Sequence, residues 1–153
     1  ALGFSGIDGD LITCKKLNSD VDLGYVGEIT NVNTAPLKLA IEAGYIPVVA
    51  SIGTDNDHKD SYNINADTCA SKVAAALKAE KLLLLTDVPG VLMNPQDSSS
   101  LISTLRLHEI PNISCCFEAV RLGVKKSVII DGRIPHAILL ELLSEKGIGT
   151  EIF

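Results

Sequence analysis

Three short polar side chains in five positions, Asn63, Asn65 and Asp67, stand between an apolar run, Ile46 to Ile52, and an alanine-rich segment, Ala66 to Ala79. In a strand-to-helix turn they would occupy the place where an open α/β sheet binds ligands. The backbone N–H groups of the helix start would face an anion there. One of the three meets the ordinary need for a helix cap. Buried polar groups without partners are costly, so three of them point to a bound phosphate-transfer substrate. A second polar tip follows four consecutive leucines, Leu82 to Leu85. Thr86 and Asp87 fall at that strand's carboxyl end, where a nucleotide could sit; a turn cap is the plainer role for Asp87.

Two further loops carry polar groups. Gly6 and Gly9, with Ser5 and Asp8 beside them, predict a tight turn at positive φ, serving a plain hairpin or a backbone approach to a ligand. The turn Gly53 to Lys59 is rich in oxygen ligands at Asp55, Asn56 and Asp57 but lacks EF-hand spacing. It reads as a solvated loop with His58 exposed, and no metal site is expected. Cys14, Cys69, Cys115 and Cys116 form no C-x-x-C pair, so buried thiols in a reducing compartment are expected.

The elements that must position these groups follow from composition and pattern. The chain has 153 residues, 46% hydrophobic and 21% charged, enough for one domain with a real core. Aromatics are 4%, so aliphatic side chains must fill the interior, as in buried parallel sheets. A net charge of -6 argues against nucleic acid, which needs a basic face. No apolar run is long enough to cross a bilayer. The chain starts at Ala1 and its one Met is Met93, which suggests a processed chain or a piece of a longer one, without a visible signal peptide.

Strands are expected at Leu11–Leu17, Gly24–Val32, Lys81–Leu92, Leu101–Leu107 and Lys125–Asp131. Tyr45–Ile52 reads as a central parallel strand and Gly147–Phe153 as a last edge strand. Helices are expected after a Thr34 cap with Pro36 in the first turn and Gly44 as stop, then at Ala66–Ala79, Cys115–Leu122 and Pro135–Ser144. Strand alternating with helix, the strands apolar, predicts a single three-layer α/β/α domain with a mostly parallel open sheet. Neither a dinucleotide fingerprint nor a P-loop is present.

Five stretches in order carry a resemblance: Leu2–Gly9, Gly24–Glu28, Tyr62–Asp67, Leu84–Leu92 and Ile129–His136, with Gly147–Thr150 agreeing at the end. Together they resemble the acetylglutamate kinases of the amino acid kinase family, over nearly the whole chain. The resemblance implies the ATP-binding carboxyl-terminal part of such an enzyme. The family's amino-terminal part carries a glycine-rich phosphate loop, a catalytic lysine and a substrate-gripping arginine that have no counterpart here. The implied reaction is ATP-dependent phosphorylation of the γ-carboxylate of N-acetyl-L-glutamate, in arginine biosynthesis, with Mg2+ carried by the nucleotide.

By position, Asn63 and Asn65 resemble substrate-binding residues, and Asp67 the carboxylate that orients catalytic lysines. Thr86, Asp87 and Gly90 resemble nucleotide-binding positions. His136, Glu145, Gly147 and Gly149 fall where arginine-sensitive members hold their inhibitor, Glu145 being able to pair a guanidinium. Arg133 falls in the same implied inhibitor pocket, with the cap of a strand end as its plainer role. Arginine, a second copy of the chain and the PII signalling protein are the further implied partners, and a bacterial cytoplasm or a chloroplast suits equally.

One departure stands out. Members carry Gly-Gly-Met-Ile-Pro-Lys where this chain reads Leu107-His-Glu-Ile-Pro-Asn112. Asn112 replaces the lysine, and the residues before Ile110 are too few, as though a helix and the glycine turn were deleted. Losing such a charge clamp costs orders of magnitude in rate. The chain alone is therefore expected to be inactive. The competing readings are a non-catalytic regulator binding nucleotide or arginine, and a different amino acid kinase.

Overall fold

The computed structural model describes residues 1–94, 96–107 and 114–153, which form two compact units, Ala1–Leu77 and Lys78–Phe153. The Ile110-Pro111-Asn112 stretch lies outside the described residues.

In the first unit, β1 (Leu2–Ser5) pairs in parallel with β4 (Pro47–Ala50). A second sheet has the order β3-β2-β5-β6: β2 (Ile12–Lys16), β3 (Gly27–Val32), β5 (Ile52–Thr54) and β6 (Ser61–Asn63). Its β2–β5 pairing is parallel and the other two antiparallel. Helix α1 (Ala35–Glu42) leads into β4, and α2 (Ala66–Leu77) follows β6. Leu11, Ile12, Cys14, Leu37, Tyr62, Ile64 and Cys69 form the core, with Phe4, Val49, Val73 and Leu77 packed against it.

Three expectations for this unit are corrected. Tyr45–Ile52 is not one central strand: it breaks at Ser51, whose carbonyl accepts from the Ile64 N–H at 2.9 Å. Its β4 part pairs only with β1 among the described residues and alternates, Val49 inward and Val48 58% exposed, because one face alone meets the core. Thr34 makes no side-chain cap bond. Asn33 takes that role, its Oδ1 accepting from Ala35 N at 3.2 Å while its Nδ2 donates to Gly9 O at 2.9 Å. Gly9 has the expected positive φ of 60°, but Gly6 does not need one; it is required because the chain crosses against the Ile52 carbonyl.

In the second unit the strand order is β7-β9-β10-β8, from β7 (Lys81–Thr86), β8 (Thr104–Leu105), β9 (Lys126–Asp131) and β10 (Thr150–Ile152). β7 and β9 run parallel, the chain between them passing through α3 (Ser114–Arg121); β10 is antiparallel to β9 and parallel to β8. The predicted last edge strand is thus an interior one. The alternation in β9 explains why both faces need cover. Val128 and Ile130 meet Ala137 of α4 (Ala137–Leu143), while Ile129 packs with Leu105, Cys116, Phe117 and Ile152. Leu83 and Leu84 of β7 divide between the same two faces, which is why the leucine run has no polar side, although Leu85 at its end is half exposed. Cys115 is only half-buried, against the expectation for all four cysteines. No helix among the described residues is long and apolar enough to cross a membrane.

Candidate functional site

The Asn/Asp corner belongs to the first unit. Tyr62 and Ile64 are buried, while Ser61, Asn63 and Asn65 are exposed by strand alternation and Ala66 and Asp67 of the helix start are exposed as well. This corrects the reading of the corner as buried polar groups: the side chains face solvent and pay no desolvation. Asn65 is the helix cap, its Oδ1 accepting from Thr68 N at 3.0 Å and Thr68 Oγ1 at 3.2 Å. Asn63 anchors through its backbone, its N–H donating to Tyr25 O at 2.8 Å. That leaves the Asn63 amide and the Asp67 carboxylate presented outward. Tyr25 and Tyr62 lie with ring centroids 6.1 Å apart and, with Lys16, Asp22, Gly24 and Asp60, line a cavity of about 330 Å3. The tyrosines and Lys16 come together through the β6–Tyr25 pairing, which their places in the sequence do not encode.

The strand-end cluster belongs to the second unit. The β7–β9 register sets Thr86 beside Asp131, so the two parallel strands end together. Gly132 N extends the ladder by one bond to Thr86 O, 2.8 Å. Thr86 Oγ1 donates to Asp87 Oδ1 at 3.3 Å. Gly90, expected at the nucleotide, is instead buried with a φ of 148° and lies against Thr150 and Leu101, where a side chain would have no room. Its need is packing.

Arg133, read as a strand-end cap, does more. Its Nε donates to Asp131 Oδ1 at 2.9 Å, its Nη2 to Oδ2 at 2.8 Å, and its backbone N to Oδ1 at 2.9 Å. These bonds hold the Asp131 carboxyl down at about 2. The ordinary value is 3.8, so the pair stabilises the fold above about pH 4 and the contribution is lost as pH falls toward 2. Urea midpoints of the wild-type chain are expected to drop more steeply across that window than those of Asp131→Asn; parallel curves would remove the pair from the acid response.

The third set of residues surrounds the loop after α4. Glu145, Gly147 and Gly149 line a cavity of about 240 Å3 with Lys81, Lys126 and Glu141. His136 does not line it. It stands at the opposite end of α4, at the N-cap position with a φ of 61° and without a side-chain cap bond. The carboxylate built into the loop is Glu141 rather than Glu145: it is buried, and its Oε2 accepts from Ile148 N at 2.8 Å and Gly149 N at 3.3 Å. Within Leu139-Leu140-Glu141-Leu142 the sequence signal was a lone acid in an apolar helix, which only tertiary contacts distinguish from a solvated one.

Polar groups gathered at the carboxyl ends of parallel strands are where open α/β folds bind ligands, and residues 1–132 match the amino acid kinase family. The chain belongs to that family. It is 58% identical to the acetylglutamate kinase of Clostridium beijerinckii and 52% to that of Clostridium kluyveri, each over 167 aligned positions covering all of this chain and 59% of the relative. The chain thus spans about three-fifths of the length of these relatives. An alignment longer than the chain itself means that they carry residues with no counterpart here. Among solved structures, the N-acetylglutamate synthase of Neisseria gonorrhoeae with coenzyme A and N-acetyl-glutamate has a TM-score of 0.83 at 28% identity, covering 99% of this chain and 37% of that one.

Proposed function

We propose that the chain is the ATP-binding, carboxyl-terminal part of an acetylglutamate kinase, a phosphotransferase acting on the γ-carboxylate of N-acetyl-L-glutamate in arginine biosynthesis. The observation that carries this is similarity along the whole chain to acetylglutamate kinases, at 58% identity for the Clostridium beijerinckii enzyme. The geometry is compatible with it. Phosphoryl transfer asks little covalent work of the protein and much positioning. In this reading Thr86 and Asp87 contact the nucleotide, the outward amide of Asn63 takes the acetylglutamate, and Asp67 orients lysines that carry the charge. Asn65 contributes by fixing the turn. In this reading Mg2+ arrives with the nucleotide.

Asn112 has no ammonium to offer the transferring phosphate. The chain by itself is therefore expected to bind MgATP weakly and to turn over no N-acetyl-L-glutamate above background in an assay of ADP release. Turnover by this polypeptide would overturn the inactive-part reading.

A second reading, a non-catalytic regulator, draws on the cavity beside Glu141, Glu145, Gly147 and Gly149, whose carboxylates suit a guanidinium. Calorimetric titration with arginine tests it, and a flat trace would remove it. Self-association and docking of a PII protein belong to the same proposal, with a bacterial cytoplasm or a chloroplast as the setting.

A further inference from the structure

We propose that Arg133 is the cation that meets the phosphate chain of a nucleotide at the shared carboxyl end of β7 and β9, with Asp131 as its positioning residue. This rests on the nucleotide reading of Thr86 and Asp87 and adds the positive charge that reading lacks, since Thr86 is neutral and Asp87 is itself an anion.

Geometry supplies the case. The Asp131 side chain is nearly buried while that of Arg133 is 66% exposed, so the pair has a fixed root and an open head. Nε and Nη2 each give a hydrogen bond to Asp131, which fixes the plane of the guanidinium. Its Nη1 edge makes no hydrogen bond to the described residues and is turned away from the clamp. A planar fork of N–H groups suits a phosphate oxygen pair better than any other side chain does. The backbone reinforces the placement. Gly132 ties the turn to Thr86 O, and a Cβ there would stand 3.1 Å from Leu85 Cβ, so the turn lies close against the end of β7. A purely structural clamp would satisfy Asp131 equally well with the head pointing nowhere in particular. A cation that meets the nucleotide makes binding sensitive to the ligand's phosphates as well.

The test is calorimetric titration of the chain and of Arg133→Gln with MgATP and, separately, with adenosine, which has no phosphate. Arg133→Gln is expected to weaken MgATP binding by about tenfold or more, the scale of one charge-assisted contact, while adenosine changes by less than about twofold. Arg133→Lys should recover part of the loss and Asp131→Asn should show part of it. Equal weakening of both ligands, or no weakening, overturns the assignment and leaves the nucleotide reading standing. A wild-type chain that binds neither ligand overturns both. If Arg133→Gln does not fold because Asp131 is left unpaired, the double variant Asp131→Asn/Arg133→Gln removes both charges together, and the same MgATP-to-adenosine contrast decides.

Discussion

Thr150→Val is expected to destabilise the chain by about 2–4 kcal/mol although it keeps the side chain's shape, because each buried group stranded without a partner costs roughly 1–3 kcal/mol. Thr150 is fully buried in β10. Its Oγ1 donates to Ile102 O at 2.6 Å and accepts from Val91 N at 2.8 Å. One hydroxyl therefore joins three stretches that are distant in sequence: the turn after β7, the segment leading into β8, and the strand between β8 and β9. Valine would leave a donor and an acceptor buried at once. Thr150→Ser keeps both bonds and loses only a methyl, so it should cost about 1 kcal/mol. Urea denaturation of the two variants separates a hydrogen-bond effect from a packing effect. If the valine variant is as stable as the serine variant, the hydroxyl does not hold these segments. The consequence reaches the site, since the Val91 end of the turn is continuous with Thr86 and Asp87.

Gly6→Ala is expected to cost about 3 kcal/mol or more, the upper range for forcing atoms into a packed interior. The added Cβ would land on the Ile52 carbonyl oxygen and stand 2.8 Å from Ile12 Cδ1. Neither neighbour can yield easily. Ile12 is fully buried and bonds back to the same turn, its N–H donating to Gly6 O at 2.6 Å, and Ile52 begins β5. Gly3→Ala is the control. Nothing lies within 4 Å of the Cβ it would add, so its effect should stay within about 0.5 kcal/mol. Equal denaturation midpoints for the two variants would contradict the close crossing at Gly6.

Several features were legible before any tertiary contact was known. The leucine run of β7 and the apolar centre of β9 required cover on both faces because they have no polar side. Gly9 and Gly44 marked turns, and both have positive φ, 60° and 80°. The helix after Asp67 followed from its alanine content and from a cap, though Asn65 rather than the whole corner supplies that cap.

Other features depended on neighbours that the pattern does not encode. Tyr45–Ile52 has the composition of a central strand, and hydrophobicity alone cannot say whether one face or two will be covered; here only the face carrying Val49 meets the core. The Asn63-to-Asp67 corner gave residue types without exposure, which was settled by the alternation begun at Tyr62. Gly90 and Gly6 look like any other loop glycines, and only the close approach of Thr150 or Ile52 explains them. Asp131 and Arg133 are two positions apart in the chain, a spacing that specifies no contact. The fork closes because β9 ends beside β7 and the turn after it folds back onto Leu85. Local chemistry thus chose the elements and the residue types able to bind a phosphate-bearing ligand. Which of those side chains stand exposed, paired or buried was decided by which strands came to lie side by side, since a side chain's partners are set by register across the sheet and not by its place along the chain.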